Sequence, residues 1–281
     1  MTAVVRAAFV LILSAAVLHA QAEPALDDVL ARVHAYLAEY AKQLPAMVAT
    51  ERYQQRIGSG MRRNQRLLVS DYGLIQVQGD SEWLGFREVL AVDGKPVTDS
   101  ARRLAELLAK PSTRALQQAR RIAEESARYN IGPIVRTIND PAIVLELLDK
   151  RHRERMRFSR NGETATVNGA RAWVVRFQEV GGPTVIRTPD LKDLPVRGRA
   201  WVDPAGGRVL RADVVLELGF GVTGTLDVTF EYDERLGFAV PSKMTERYTN
   251  RNLVAVSSGE ATYSNYRRFT VDTEENIQLK P

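Results

Sequence analysis

STRALQQARRIAEESARYNIGPIVRTINDPAIVLELLD, residues 112–149, decides the fold, because it is written in helical periodicity while its flanks are written in strand alternation. Leu116, Ala119, Ile122, Ala123 and Ala127 recur near three- and four-residue spacing, leaving Arg114, Gln118, Arg121 and Glu125 for a wetter side. The spacing predicts a helix from Thr113 to Tyr129, capped by Ser112 and stopped by Asn130, Gly132 and Pro133. A second helix is expected from Asp140, a good N-cap with Pro141 in the first helical position. Its Ile143, Val144, Leu147 and Leu148 are too apolar for a surface helix and need a cover. The expectation is one α+β domain: a single curved antiparallel β-sheet wrapped around this helical plug, which fills its concave side. The helical insert spans about 100–149, including a short helix over Ala101 to Lys110.

Working outward, Leu26, Val29, Leu30, Val33, Leu37 and Tyr40 predict an N-terminal helix ended by Pro45. Val48 to Ile57 and Arg66 to Gln78 read as a strand pair, and EWLGFREVLAVDGKPV as a strand turning at Asp93-Gly94. After Asp149 the two-residue period is plain. Trp173, Val175 and Phe177 share one face, as do Leu210, Ala212, Val214, Leu216 and Leu218, and then Leu226, Val228, Phe230 and Tyr232. Further strands are expected around Lys243 to Tyr248 and Ala261 to Val271. The stretch from Gly181 to Gly198, with three prolines, reads as a plain connection, a mobile flap being the alternative. If Lys150 to Arg160 is a strand, Arg151, Arg153, Arg155 and Arg157 leave one face about 7 Å apart. Such a stripe suits an anionic surface such as phospholipid headgroups, or simply water.

Residues 1–22, MTAVVRAAFVLILSAAVLHAQA, have one early Arg6, an apolar run and an Ala20-Gln21-Ala22 cleavage pattern. They read as a signal peptide, the run being shorter than the roughly 20 residues that span a bilayer. The mature domain is then 23–281, periplasmic or secreted, with no transmembrane segment. Among 281 residues there is no cysteine, which removes disulfides, thiol catalysis and cysteine metal sites. Stability must come from a core, and 44% apolar content supplies one. The net charge of +5 becomes +4 without Arg6, and both signs are spread along the chain, which argues against nucleic acid as partner.

Catalytic patterns are mostly missing: no G-x-S-x-G elbow, no H-E-x-x-H helix, no S-x-x-K pair and no phosphate loop. Only His34 and His152 follow the signal, too few for a histidine metal site, so no cofactor or metal is expected. Tyr263-Ser264-Asn265 is like a fragment of penicillin-binding enzymes, but lacks a nucleophile. The pieces WLGF and VDGKPV look like parts of a PDZ domain, but they sit within one strand's length instead of being separated by two strands. A carboxylate-based hydrolase leaves little signature and stays as an alternative.

The element order, together with GRAWVDPAGGRVLRADVVL, FAVPSKMTERY and ATYSNYRRFTV, resembles the outer-membrane lipoprotein-sorting proteins and their relatives, the LolA/LppX-like fold. VDGKPV, ESARYNIG and YSNYRRF further resemble uncharacterised secreted bacterial proteins. The resemblance implies an open barrel whose mouth is plugged by helices and whose cavity takes up acyl chains, without catalysis. A dozen buried methylenes would supply a gross term near 10 kcal/mol, at about 0.8 kcal/mol each. Trp83, Phe86, Tyr129, Ile143, Trp173 and Phe230 are the candidate lining of such a cavity. The alternative is a filled barrel that binds another envelope protein through its surface.

Overall fold

The computed structural model describes residues 23–43, 47–59, 62–75, 84–97, 113–136, 138–188, 190–250, 253–270 and 278–279. The expected signal segment, the helix expected over 101–110 and Trp83 lie outside the described residues.

Two antiparallel meanders make one sheet. The first is β1 (Met47–Ser59), β2 (Arg62–Ile75), β3 (Leu84–Val92) and the short β4 (Lys95–Pro96). The second begins with β5 (Met156–Ser159), β6 (Thr164–Val167), β7 (Ala170–Glu179) and β8 (Val196–Val202). It continues through β9 (Val209–Gly219), β10 (Val222–Asp233), β11 (Phe238–Asn250) and β12 (Leu253–Thr270), with β13 (Gln278–Leu279) beside β12. The order β4-β3-β2-β1-β12-β11-β10-β9-β8-β7-β5 joins the meanders where β1 pairs with β12, and β6 also lies on β7. β4 and β5 are opposite edges, so the barrel is open.

The predicted alternation packs one face. Trp173, Val175, Phe177, Ala212, Val214, Leu216, Leu226, Val228 and Phe230 are all buried in a single core. Against them lies α1 (Leu26–Gln43), which buries Val29, Leu30, Val33, Leu37 and Tyr40. Tyr40 meets Phe238 edge-on at 5.5 Å. Gly207, at φ +73°, lets the β8–β9 turn touch this helix, since a Cβ there would sit 2.3 Å from the Arg32 backbone.

Four expectations are corrected. Of the helical pair, α3 (Ile143–Leu148) is the one in the concavity, burying Val144, Leu145, Leu147 and Leu148. α2 (Thr113–Ala127) packs along β3 near the sheet's edge. Lys150 to Arg155 is a 3-10 helix, not a strand, because the Asp149 carboxylate accepts from Arg151 N and the strand starts only at Met156. Leu210 leaves the expected face: a bulge opposite Trp201/Val202 turns Val209 inward and sends Leu210 to an outer cluster with Ala172, Val174 and Trp201. Tyr232 lies beyond a register shift at Thr229/Phe230 and is 55% exposed.

The connection from Gly181 to Gly198 is pinned at its base. Glu179 accepts from Val185 N at 2.8 Å, Thr184 N donates to Asp193 at 2.9 Å, and Ile186 and Leu194 are buried.

Candidate functional site

Alternation that fills the inner face with apolar side chains also places charges there. On β1 the inward positions are Met47, Ala49, Glu51, Tyr53 and Gln55, and on β11 Met244, Glu246 and Tyr248, all buried. On β3, Arg87 faces inward between Gly85 and Val89. An ion of either sign in such a wall persists only when paired and hydrogen-bonded.

The Glu51 pair is built within the sheet. Arg87 grips Glu51 through Nε at 2.7 Å and Nη2 at 3.0 Å, and the Tyr263 hydroxyl donates to the same carboxylate at 3.0 Å. The Glu246 pair is built across the concavity. Arg136, on the segment between α2 and α3, donates through Nη1 to Glu246, and both side chains are fully buried. The Tyr53 hydroxyl also donates to Glu246, while Arg136 reaches Tyr53 OH at 3.2 Å and the Ser258 carbonyl at 3.3 Å. Gly259 makes room: a Cβ there would stand 2.4 Å from the Tyr53 ring and 2.6 Å from the Glu246 carboxylate.

The rest of that segment is tied the same way. Gln55 donates to Asn130 at 2.6 Å and accepts from Ile131 N at 2.9 Å, and Arg66 donates to the Tyr129 carbonyl at 2.8 Å. Arg87 Nη2 donates to the Asn139 carbonyl at 2.6 Å. Asp140 accepts from the Tyr72 hydroxyl at 2.6 Å, Gly85 N at 3.0 Å and Ala142 N at 2.9 Å. Residues 129–136 and 138–142 therefore form a plug held to the wall by polar bonds together with buried Ile138 and Ala142, whereas α3 immediately after it is held by apolar packing.

Burial sets the electrostatics. It raises the Asp140 carboxyl above its usual range, against the pull of its Tyr72 and backbone hydrogen bonds and of Arg87. It raises Tyr53, Tyr72, Tyr248 and Tyr263, which stay protonated donors. For Arg87 burial opposes the charge, but the Glu51 carboxylate outweighs it and holds the guanidinium more firmly protonated than usual. Glu51 and Glu246 are both buried and paired with arginine and tyrosine, and Glu246 keeps one carboxylate oxygen without a hydrogen-bond partner.

The candidate lining residues are only partly brought together. Tyr129, Ile143, Trp173 and Phe230 join the one apolar core. Trp173 also carries the Arg160 guanidinium 3.6 Å from its ring centre. Phe86 alternates with Arg87 and so faces outward, its ring lying over Gly73. The apolar cavity inside the sheet is of ≈ 20 Å³, room for about one water molecule. Its walls are Tyr40 of α1, Ala142 and Leu145 of the plug and α3, and Met47, Ala49, Tyr72, Leu74, Pro241 and Tyr266 of the sheet.

The arginine stripe is dispersed. Arg151 pairs with Glu146 at 2.8 Å and Asp149 at 3.0 Å, Arg153 with Asp27 at 3.4 Å, and Arg155 donates to the Pro183 carbonyl and His152. Arg157, on β5, is exposed and has no ion pair among the described residues.

Glu51, Arg87, Arg136 and Glu246 went unread in the sequence, and Asp140 was read only as a helix cap. The available signal was Glu51 in phase with Ala49 and Tyr53, and Glu246 in phase with Met244 and Tyr248. Among the described residues no three His, Cys, Asp or Glu side chains are grouped to hold a metal ion, and no helix is long and apolar enough to cross a membrane.

No family model matches the sequence, and no curated protein matches it. Solved structures are similar to it in fold. One is a domain described as that of an outer membrane lipoprotein-sorting protein from Vibrio parahaemolyticus, at TM-score 0.40 and 16% identity, covering 85% of this chain and 93% of that one. A DUF1329 family protein from Desulfovibrio piger gives TM-score 0.36 and 13% identity over 89% and 95% of the two chains. A LolA superfamily protein from Nitrosomonas europaea gives 0.35 and 9% over 85% and 94%.

Proposed function

We propose that the protein is an exported, non-catalytic carrier for a lipid or other acyl chain, received between the sheet and its plug. The observation that carries this reading is the apolar seam. Its small cavity lies where α1, the plug and the sheet meet, with Tyr40, Met47, Ala49, Leu74, Leu145 and Tyr266 presenting carbon to it. The plug beside it is held by directional polar bonds, which can be exchanged for water when it moves, while the apolar wall behind it would lose by being wetted. An acyl chain entering the widened seam would cover that wall at about 0.8 kcal/mol per methylene.

The second reading is an envelope protein-interaction module with no ligand. The small size of that cavity favours it.

Binding of a fluorescent fatty acid to residues 23–281 separates the two. The carrier reading expects saturable binding that is competed by unlabelled acyl chains and weakened at least tenfold by Ala49→Phe, which fills the seam. Absence of saturable binding, or equal binding by the folded variant, would leave the interaction module.

A further inference from the structure

The outer face carries a second pattern, independent of the interior. One row of outward residues runs unbroken across eight strands: Arg157 on β5, Gln178 on β7, Arg197 on β8, Val215 on β9, Thr225 on β10, Arg247 on β11, Ser258 on β12 and Arg56 on β1. Seven strand steps of about 4.8 Å make it roughly 34 Å long. On β7, β8, β9 and β11 the nearest outward basic side chain beside the row is neutralised: Arg176 by Glu163 at 3.0 Å, Arg199 by Asp213 at 2.5 Å, Arg211 by Asp227 at 2.5 Å and Lys243 by Glu260 at 3.4 Å. Arg157, Arg197, Arg247 and Arg56 are exposed and have no ion pair among the described residues. Two depressions of ≈ 460 and ≈ 450 Å³ lie along the row and share Arg199, Asp213 and Val215, so together they form one shallow trough.

On β8 and β11 the sheet neutralises one outward basic side chain, Arg199 or Lys243, and leaves its neighbour in the row, Arg197 or Arg247, without an ion pair among the described residues. A guanidinium offers a fork of donors that matches carboxylate or sulfate oxygens. Gln178, Thr225 and Ser258 between them offer groups that hydrogen-bond hydroxyls. The shape selects among anions. The inner face wraps a plug, so the outer face is convex across the strands, and twist adds roughly 20–25° at each step. A flat bilayer cannot meet Arg157 and Arg56 together, whereas a flexible chain can follow the arc. No aromatic side chain stands in the row to stack a base, which disfavours single-stranded nucleic acid. We infer that this trough binds a linear acidic polysaccharide, laid across the strands with its anionic groups on Arg56, Arg157, Arg197 and Arg247.

Labelled polygalacturonate fragments titrated into residues 23–281 at low salt test this. Arg56→Gln/Arg197→Gln/Arg247→Gln should raise Kd more than tenfold with an unchanged Tm. Arg52→Gln/Arg171→Gln/Arg187→Gln removes the same charge at exposed sites outside the row and should change Kd less than twofold. Should the first variant lower Tm, Arg197→Gln alone is the measure, with a several-fold loss expected. Equal weakening by both triple variants, no binding by the parent, or tighter binding of polyglutamate, an oligonucleotide or phosphatidylglycerol vesicles would each overturn the assignment.

Discussion

Replacing Arg136 with Met tests whether the plug is fastened by the Glu246 pair. Both partners are fully buried, and the carboxylate also takes the Tyr53 hydroxyl. Arg136→Met keeps much of the stem volume but strands a carboxylate inside the wall with tyrosine hydroxyls and no cation. Two unit charges about 4 Å apart attract by about 4 kcal/mol at an effective dielectric of 20, in line with the 3–5 kcal/mol seen when one partner of a buried pair is removed. Losing that much from a chain of this size lowers Tm by roughly 6–20 °C. Arg136→Met/Glu246→Gln removes the stranded charge and should recover at least half of the loss, giving a coupling energy of about 2 kcal/mol or more. Urea unfolding of parent, singles and double, followed by far-ultraviolet circular dichroism, supplies the cycle. A single variant within 1 kcal/mol of the parent, or a double no better than Arg136→Met, would refute the fastening.

Leu147→Ala should cost about 2–5 kcal/mol by opening a cavity under α3, as an unfolding midpoint will show. Gly85→Ala drives a Cβ to 2.2 Å from the Asp140 carboxylate and should cost about 1–3 kcal/mol, read in the same assay. Burial raises Asp140 above its usual 3.8, so between that value and its folded pKa the native state holds more protons than the unfolded chain. The stability of the parent relative to Asp140→Asn should therefore fall as pH rises through that window, and a rise would contradict the assignment. His34 is lowered from 6.5 chiefly by burial. Its contribution is present above 6.5 and lost as pH falls through the folded pKa, so the parent should lose stability against His34→Gln on acidification.

The period-two runs made the sheet legible because each strand has one wet and one dry face: Trp173, Val175 and Phe177 declare their side without reference to any partner. α1 was legible for the same reason at helical period. The plug's polar fastening was not, because it depends on which strands are neighbours. Glu246 is explained only once Gly259 is placed beside it and Arg136 is brought from 110 residues away. The arginines after Asp149 misled because a strand and a 3-10 helix can share the same short sequence. Asp149 and Glu146 decided it by capping the helix and pairing Arg151. Leu210 was lost to a bulge, which leaves no mark in alternation. Of the candidate lining, the aromatics on strands reached the core, but Phe86 was read without its strand's phase, which Arg87 and Glu51 set.

Mass spectrometry of an organic extract of the protein, purified without detergent, tests the carrier reading most directly. The account predicts an acyl-bearing lipid in near-stoichiometric amount with the parent and its loss from Ala49→Phe. Folded parent protein that yields no lipid above a control protein purified alongside it would contradict the account and leave a filled barrel that works through its surface.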